Sequence, residues 1–210
     1  MGRYTGPSCR VCRREGMKLF LKGAKCETAK CQIERRQRSL APGMHGWRKG
    51  RLSEYGVRLR EKQKIKRYYG VYEQQFMRFF HKASRLPGNT GENLLQLLER
   101  RLDNVIYKLN FAASRKSARQ LITHGHVHVN DRKVDINDYV LNIGDKITLK
   151  NSEKSLKRVK AQLESNPNFT TQGWLQLDRD KPAATVVALP TRTDIQIPVE
   201  EHLVVEFCSR

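Results

Sequence analysis

Long apolar runs are scarce in this chain. Near the N-terminus the longest, Met17 with Leu19 to Leu21, is broken by Lys18 and closed by Lys22, too short for a signal peptide or a membrane span. The sequence opens Met-Gly, yet Gly6 stands where a myristoylation signal needs Ser or Thr. The expectation is a soluble, cytoplasmic chain without a membrane partner. Missing too are a phosphate-cradling Gly-Lys-Ser/Thr loop, a His-Glu-x-x-His helix and a Gly-x-Ser-x-Gly elbow. Those absences speak against an enzyme and against a small-molecule substrate. No internal repeat or low-complexity tract interrupts the chain.

Acids are also in short supply: 41 Lys and Arg face 21 Asp and Glu, a net charge of +20. Such a surplus repels itself in a compact monomer unless a polyanion neutralises it. The surplus is uneven, +16 in residues 1 to 100 and +4 in residues 101 to 210. With 210 residues, 38% of them hydrophobic, the chain is long enough for two modest cores without disulfides.

From Met1 to about Trp47 the sequence is rich in Gly, Cys and basic residues and has no sustained periodicity, which predicts an irregular segment needing a staple. Cys9 and Cys12 have two residues between them, thirteen follow, and Cys26 and Cys31 have four between them. Four soft thiolates on a short loop suit tetrahedral zinc, with an iron-sulfur cluster as the alternative. Two disulfides, or four unrelated buried thiols, are the other readings. A closed four-Cys shell leaves no position for substrate, so the metal's expected role is structural. Cys208, alone in an apolar C-terminal stretch, reads as a small packing hydrophobe.

Ser53 is placed to cap a helix that runs to Tyr69 and stops at Gly70. It carries Arg58, Arg60, Lys62, Lys64, Lys66 and Arg67, and from 53 to 69 only Glu54 and Glu61 are acidic, so the expectation is phosphate contact. A second helix is predicted from Tyr72 to Ser84, with Phe76, Phe79 and Phe80 as its apolar stripe. Before the first helix, Pro42, Gly43, His45, Gly46 and Trp47 form a turn beside Arg48, Lys49 and Arg51, where Trp or His could stack on a base or Trp47 could pack in the core. Pro87 to Gly91 break the pattern and set a boundary near 90.

From Glu92 to Leu109, Leu94, Leu98, Leu102, Val105, Ile106 and Leu109 recur at helical spacing. Ser114 caps a following helix that ends before Gly125; short strands at His126 to Val129 and Lys133 to Ile136 turn at Asn130 and Asp131. A third strand fits Lys146 to Leu149, and an amphipathic helix fits Ser152 to Leu163. The remainder, Val186 to Leu189, Ile195 to Ile197 and Leu203 to Phe207, reads as β-like with prolines as punctuation. Arg115 and Arg119 stand one helical turn apart with Lys116 beside them, and Arg132 and Lys133 sit at the hairpin, a spacing that can straddle a phosphate ribbon. His124, His126 and His128 look like a metal triplet but have no nearby Cys or carboxylate, so RNA contact or packing is the better reading. The resulting class is α+β: a metal-stapled segment and helical domain at 1–90, then helices on a small antiparallel sheet with a β-rich extension at 91–210.

The cluster Arg101, Leu102, Asp103, Asn104, Ser114, Arg115, Ala118, Arg119, Gln120, Leu121, Ile122, His124, Gly125, His126, Val129 and Asn130 resembles the alpha-L type RNA-binding module. The four-Cys N-terminus, the Pro42 to Trp47 turn, Tyr55 to Arg67 and the ending Val204 to Arg210 narrow the likeness. The chain resembles the family of the fourth small-subunit ribosomal protein in its bacterial, cysteine-containing form. The resemblance implies direct binding to a multi-helix junction of small-subunit ribosomal RNA, with Arg101, Asn104, Gln120, His124, His126 and Asn130 joining the basic residues above in the contact set. It also implies nucleation of assembly of the body, a place near the path by which messenger RNA enters, and contact with the fifth small-subunit protein, where decoding accuracy is tuned. In that family the last residues pack back on the helical domain, and Cys208 stands where an aromatic is expected. An RNA-modifying enzyme, a zinc-dependent DNA regulator and a ribosome-rescue factor are weaker fits. The first needs a catalytic domain much longer than the stretch after the module, the second a recognition helix tied to the metal. The third lacks a four-Cys domain.

Overall fold

The computed structural model describes the chain apart from positions 1, 3, 36–39, 48, 49, 151, 167, 168, 179–181, 196 and 210, and describes only the backbone of residue 154. The chain forms two compact units, Met1–Leu94 with Ile197–Arg210, and Leu95–Gln196.

In the first unit a short helix, α1 (Ser8–Glu15), ends at Gly16 in the left-handed region, and a 3-10 turn spans Gly23–Cys26. The irregular segment expected here therefore carries a helix, and it places Cys9 and Cys12 three positions apart, on neighbouring sites of one face. Helix α2 (Glu54–Tyr69) begins where the Ser53 hydroxyl accepts the Gly56 N–H at 3.2 Å and ends at Gly70 with φ 66°. Helix α3 (Glu73–Ala83) turns Phe76, Phe79 and Phe80 inward with Ile65, Tyr68 and Tyr69 of α2. The final element, α8 (Glu201–Ser209), is a helix rather than the expected strand. It lies on α2, with Tyr55 and Phe207 rings 5.3 Å apart and the Arg58 Nε donating to Glu206 at 2.8 Å. A run of contiguous apolar residues does not distinguish strand from helix, and here the partner surface on α2 decides.

The second unit holds α5 (Leu102–Lys108), α6 (Arg115–Thr123), α7 (Glu153–Glu164) and the end of α4 (Thr90–Glu99). Strands β1 (Val127–Val129), β2 (Arg132–Lys133), β3 (Lys146–Leu149), β4 (Leu175–Asp178) and β5 (Ala183–Val186) form one antiparallel sheet in the order β2-β1-β3-β5-β4. Val105, Ile106, Leu121, Ile122, Val127, Ile147, Val159 and Trp174 meet in its core. The class is α+β. Asn130 and Asp131 both adopt positive φ, the conformation a two-residue hairpin turn needs to match strand twist.

The helix expected from Glu92 to Leu109 is two helices. Between them the backbone turns outward to the 137–141 loop: Leu102 N–H donates to Tyr139 O at 2.8 Å, Asp103 N–H to Asn137 O at 3.2 Å, and Leu141 N–H to Arg100 O at 3.0 Å. The apolar spacing runs on across the break, with Leu94, Leu98, Leu102, Val105, Ile106 and Leu109 all buried.

Candidate nucleic-acid interface

Helix α6 divides its polar residues between two faces. Ser114 caps it, its hydroxyl accepting the Ser117 N–H at 3.3 Å. Lys116, Gln120 and His124 are exposed at i, i+4 and i+8, one stripe along the helix. Arg115 and Arg119 turn the other way. Arg115, 6% exposed, donates from Nε to Asn104 Oδ1 at 2.8 Å and stacks over the Tyr107 ring at 4.6 Å. Arg119 is half-buried, its Nε donating to Asp103 Oδ2 at 2.9 Å.

Both arginines end in a buried network on α5. Arg101, with no exposed surface, forks onto Asp103 through Nε at 3.0 Å and Nη2 at 2.7 Å. Asn104 donates to the Glu99 carboxylate at 2.6 Å, and Lys108 pairs with Glu99 at 3.3 Å. Burial pushes the Asp103 carboxyl up, but Arg101 and then Arg119 outweigh it and hold the group below the usual carboxylate range. Ionised Asp103 thus sets one negative charge between two guanidinium groups under the helix. Arg101 and Asn104, expected as contacts, lie in the interior, where they set the position of α6.

The hairpin completes the exposed face. Arg132 and Lys133 are exposed on edge strand β2, and a Cβ at Gly125, where φ is +69°, would collide with the Lys133 side chain. Lys133 therefore lies across the glycine at the end of α6, beside His124. Asn130 is a clamp as well as a turn residue: its Nδ2 donates to Asp145 Oδ1 at 2.8 Å and its Oδ1 accepts the Lys146 N–H at 2.9 Å. His126 is half-buried, its Nδ1 2.9 Å from Ser155 Oγ. The structure thus brings Lys116, Gln120, His124, Arg132 and Lys133 to the surface of this unit over a buried, hydrogen-bonded base.

The expected phosphate face of α2 looks different. Arg58 pairs with Glu54 and Glu206, Arg60 and Arg67 with Glu15, Lys62 and Lys66 with Glu73, and Lys64 with Glu61. Counting acids along 53–69 missed Glu15, Glu73 and Glu206, which tertiary contact brings to the helix. The turn before α2 is as expected at Gly46, whose N–H donates to Gly43 O at 3.2 Å and where a Cβ would collide with the Ala41 carbonyl. Trp47 is 63% exposed, outside the helical core; Arg48 and Lys49 lie outside the described residues.

Two family models match the chain: residues 3–99 fit the model described as ribosomal protein S4/S9 N-terminal domain, and residues 100–147 fit the S4 domain. The whole chain is 55% identical to the small ribosomal subunit protein uS4 of Thermoanaerobacter sp. (strain X514) and to that of Halothermothrix orenii, over 210 residues and all of each chain. It is 51% identical to that of Acetivibrio thermocellus, again over the full length of both. The chain belongs to the uS4 family of small ribosomal subunit proteins. It is therefore a member of a family of particle constituents, not of enzymes. The S4-domain match spans α5, α6 and the hairpin, the elements that carry the stripe and the buried network.

In this family member the four N-terminal cysteines form no disulfide, Cys12 and Cys26 being buried and Cys9 and Cys31 half-buried. Burial pushes the Cys12 thiol up, the Leu19 N–H eases it, and Cys26, Cys9 and Cys31 add repulsion. Burial likewise raises Cys26, which accepts the Lys22 N–H at 3.4 Å and feels Cys31 and Cys9. The four sulfurs thus share one electrostatic neighbourhood, and a dication among them would offset the mutual repulsion of their thiolates, so the donor chemistry fits zinc. Among the described residues no group of three or more Cys, His, Asp or Glu side chains is already gathered to hold a metal ion, the histidine triplet included. No described helix is long and apolar enough to cross a membrane.

Proposed function

We propose that this chain is a structural constituent of the small ribosomal subunit that binds small-subunit ribosomal RNA directly, working in the cytoplasm within the ribosome. The observation that carries the reading is the exposed Lys116–Gln120–His124 stripe with Arg132 and Lys133 beside it, mounted on a buried, hydrogen-bonded network that fixes the helix. Cations at a surface release counterions when they meet phosphates, and RNA is recognised mainly by its shape and backbone. Arg101, Asn104, Arg115 and Arg119 act by fixing α6, and Asn130 by fixing the hairpin. The bound element is a multi-helix junction, and gripping it early nucleates assembly of the subunit body. Arg48 and Lys49 of the N-terminal turn, with exposed Trp47, give the first unit its own RNA contact. Arg58, Lys62, Lys66 and Arg67 serve the α2 packing as well as any backbone contact. Proximity to the path of incoming messenger RNA, and contact with neighbouring proteins of the subunit, the fifth above all, through which accuracy is influenced, belong to the same proposal. Zinc held by Cys9, Cys12, Cys26 and Cys31 orders the N-terminal segment; an iron-sulfur cluster is the alternative for the same thiols.

The test is a salt titration of binding to small-subunit ribosomal RNA by the full chain and by Lys116→Ala, Arg132→Ala, Lys133→Ala combined. The expected result is a log–log salt slope shallower by about two to three, one counterion for each lost contact. An unchanged slope sinks the assignment of this face.

A further inference from the structure

Where α7 meets α6 a second group of cations gathers. Arg158 Nη2 donates to Ser117 Oγ at 3.5 Å, which ties α7 to the first turn of α6 next to exposed Lys116. Further along, Ser155 Oγ meets His126 Nδ1 at 2.9 Å, the His124 and His126 rings lie 6.2 Å apart, and the Lys150 backbone N–H donates to the His126 carbonyl at 2.8 Å. The charged and titratable groups that act on His126 come from each element around it: His124 at the end of α6, Lys150 after β3 and Arg158 on α7. None is acidic. Lys116, His124, Lys150 and Arg158 are all exposed, as are Lys157 and Lys160 on α7. Among the described residues, the acids of α7 stand only at its ends, Glu153 and Glu164.

We propose that the α6–α7 seam is a second phosphate track, binding the RNA backbone through Lys150, Arg158 and His126 and extending the α6–hairpin face onto α7. The inference rests on the ribosomal RNA-binding reading above and adds a helix outside the matched S4 domain, which ends at residue 147. RNA is favoured over a protein neighbour because the seam is exposed and cationic, not apolar, and is continuous with the stripe through Lys116 and Ser117. Burial first, then His124, Lys150 and Arg158, hold His126 below the ordinary imidazole range, so it is neutral near pH 7 in the free protein. A phosphate in the seam reverses the sign of the local potential and draws a proton onto it. Between the lowered free value and the raised bound value, affinity therefore increases as pH falls, by up to about tenfold per pH unit for one proton taken up. Below the free value the dependence flattens.

The test uses full-length small-subunit ribosomal RNA and the full chain, with Lys150→Ala, Arg158→Ala combined, and separately His126→Gln, each checked for an intact fold by Trp174 fluorescence. The expected outcome is that the double variant loses about tenfold or more in affinity with a salt slope shallower by about two, and that H126Q binds with a flattened pH dependence. If the double variant binds like the parent while the Lys116, Arg132 and Lys133 variant is weakened, the seam proposal is overturned and the general reading stands. If neither set changes binding, both fall. Protection of Lys150 from acylation in assembled subunits, but not on naked ribosomal RNA, assigns the seam to a protein neighbour and likewise overturns the proposal.

Discussion

Replacing Asp103 by alanine removes a buried carboxylate that both Arg101 and Arg119 grip. Arg119 is half-buried and can turn toward water, but Arg101 has no exposed surface, so its guanidinium stays inside with the carboxylate it forks onto removed. Breaking a buried pair from one side costs about 3–5 kcal/mol, chiefly for the charge left behind. With a urea dependence of about 1–3 kcal/mol per molar, the unfolding midpoint of the second unit should drop by roughly 1–5 M. Trp174 is 2% exposed in that unit and Trp47 is 63% exposed in the other, so the buried tryptophan's emission change reports the right transition. The companion variant Arg101→Met with Asp103→Leu removes both members of the fully buried pair and should recover most of the loss. A single variant within about 1 kcal/mol of the parent, or a double variant as unstable as the single, refutes the claim that Asp103 is the keystone of this base. The pH dependence has a definite sign. Asp103 ionises at lower pH in the folded chain than in the unfolded one, so its contribution is whole above the unfolded value near ~3.9 and is lost as pH falls through the folded value. Acid unfolding of the parent should therefore show a limb that Asp103→Ala lacks.

Cys9→Ser with Cys12→Ser should leave the cooperative melt of the second unit intact while abolishing zinc uptake measured by metal analysis of the purified chain; loss of the Trp174 transition defeats the independence of the two units. Gly125→Ala should destabilise the second unit by about 1 kcal/mol or more in urea, since it combines a left-handed backbone with displacement of Lys133. Equal midpoints would mean that Lys133 does not lie across the glycine.

Local chemistry made much of the fold readable. The caps at Ser53 and Ser114, the stop at Gly70, the turn at Asn130 and Asp131 and the strand at Lys146–Leu149 all depend on neighbours in sequence, and each stands where expected. What escaped was set by partners distant in sequence. The break at Arg100 and Arg101 exists because a loop some forty residues on takes the backbone hydrogen bonds. The basic run of α2 seemed unpaired only because Glu15, Glu73 and Glu206 are invisible to a local count. For the site, the exposed stripe follows from helical spacing, and Lys116, Gln120 and His124 were all in the expected set. The burial of Arg101, Asn104 and Arg115 was not readable, because an arginine inside a network and one on a phosphate carry the same letter.

The most direct measurement is a competition titration at moderate salt, setting the junction-bearing portion of small-subunit ribosomal RNA against an equal mass of unrelated structured RNA. A rigid, shape-reading face requires a preference on the order of a hundredfold for the junction, since non-specific phosphate contacts are the same for both. Equal binding of the two RNAs would mean that the charge alone acts, and that the ordered base beneath α6 selects nothing.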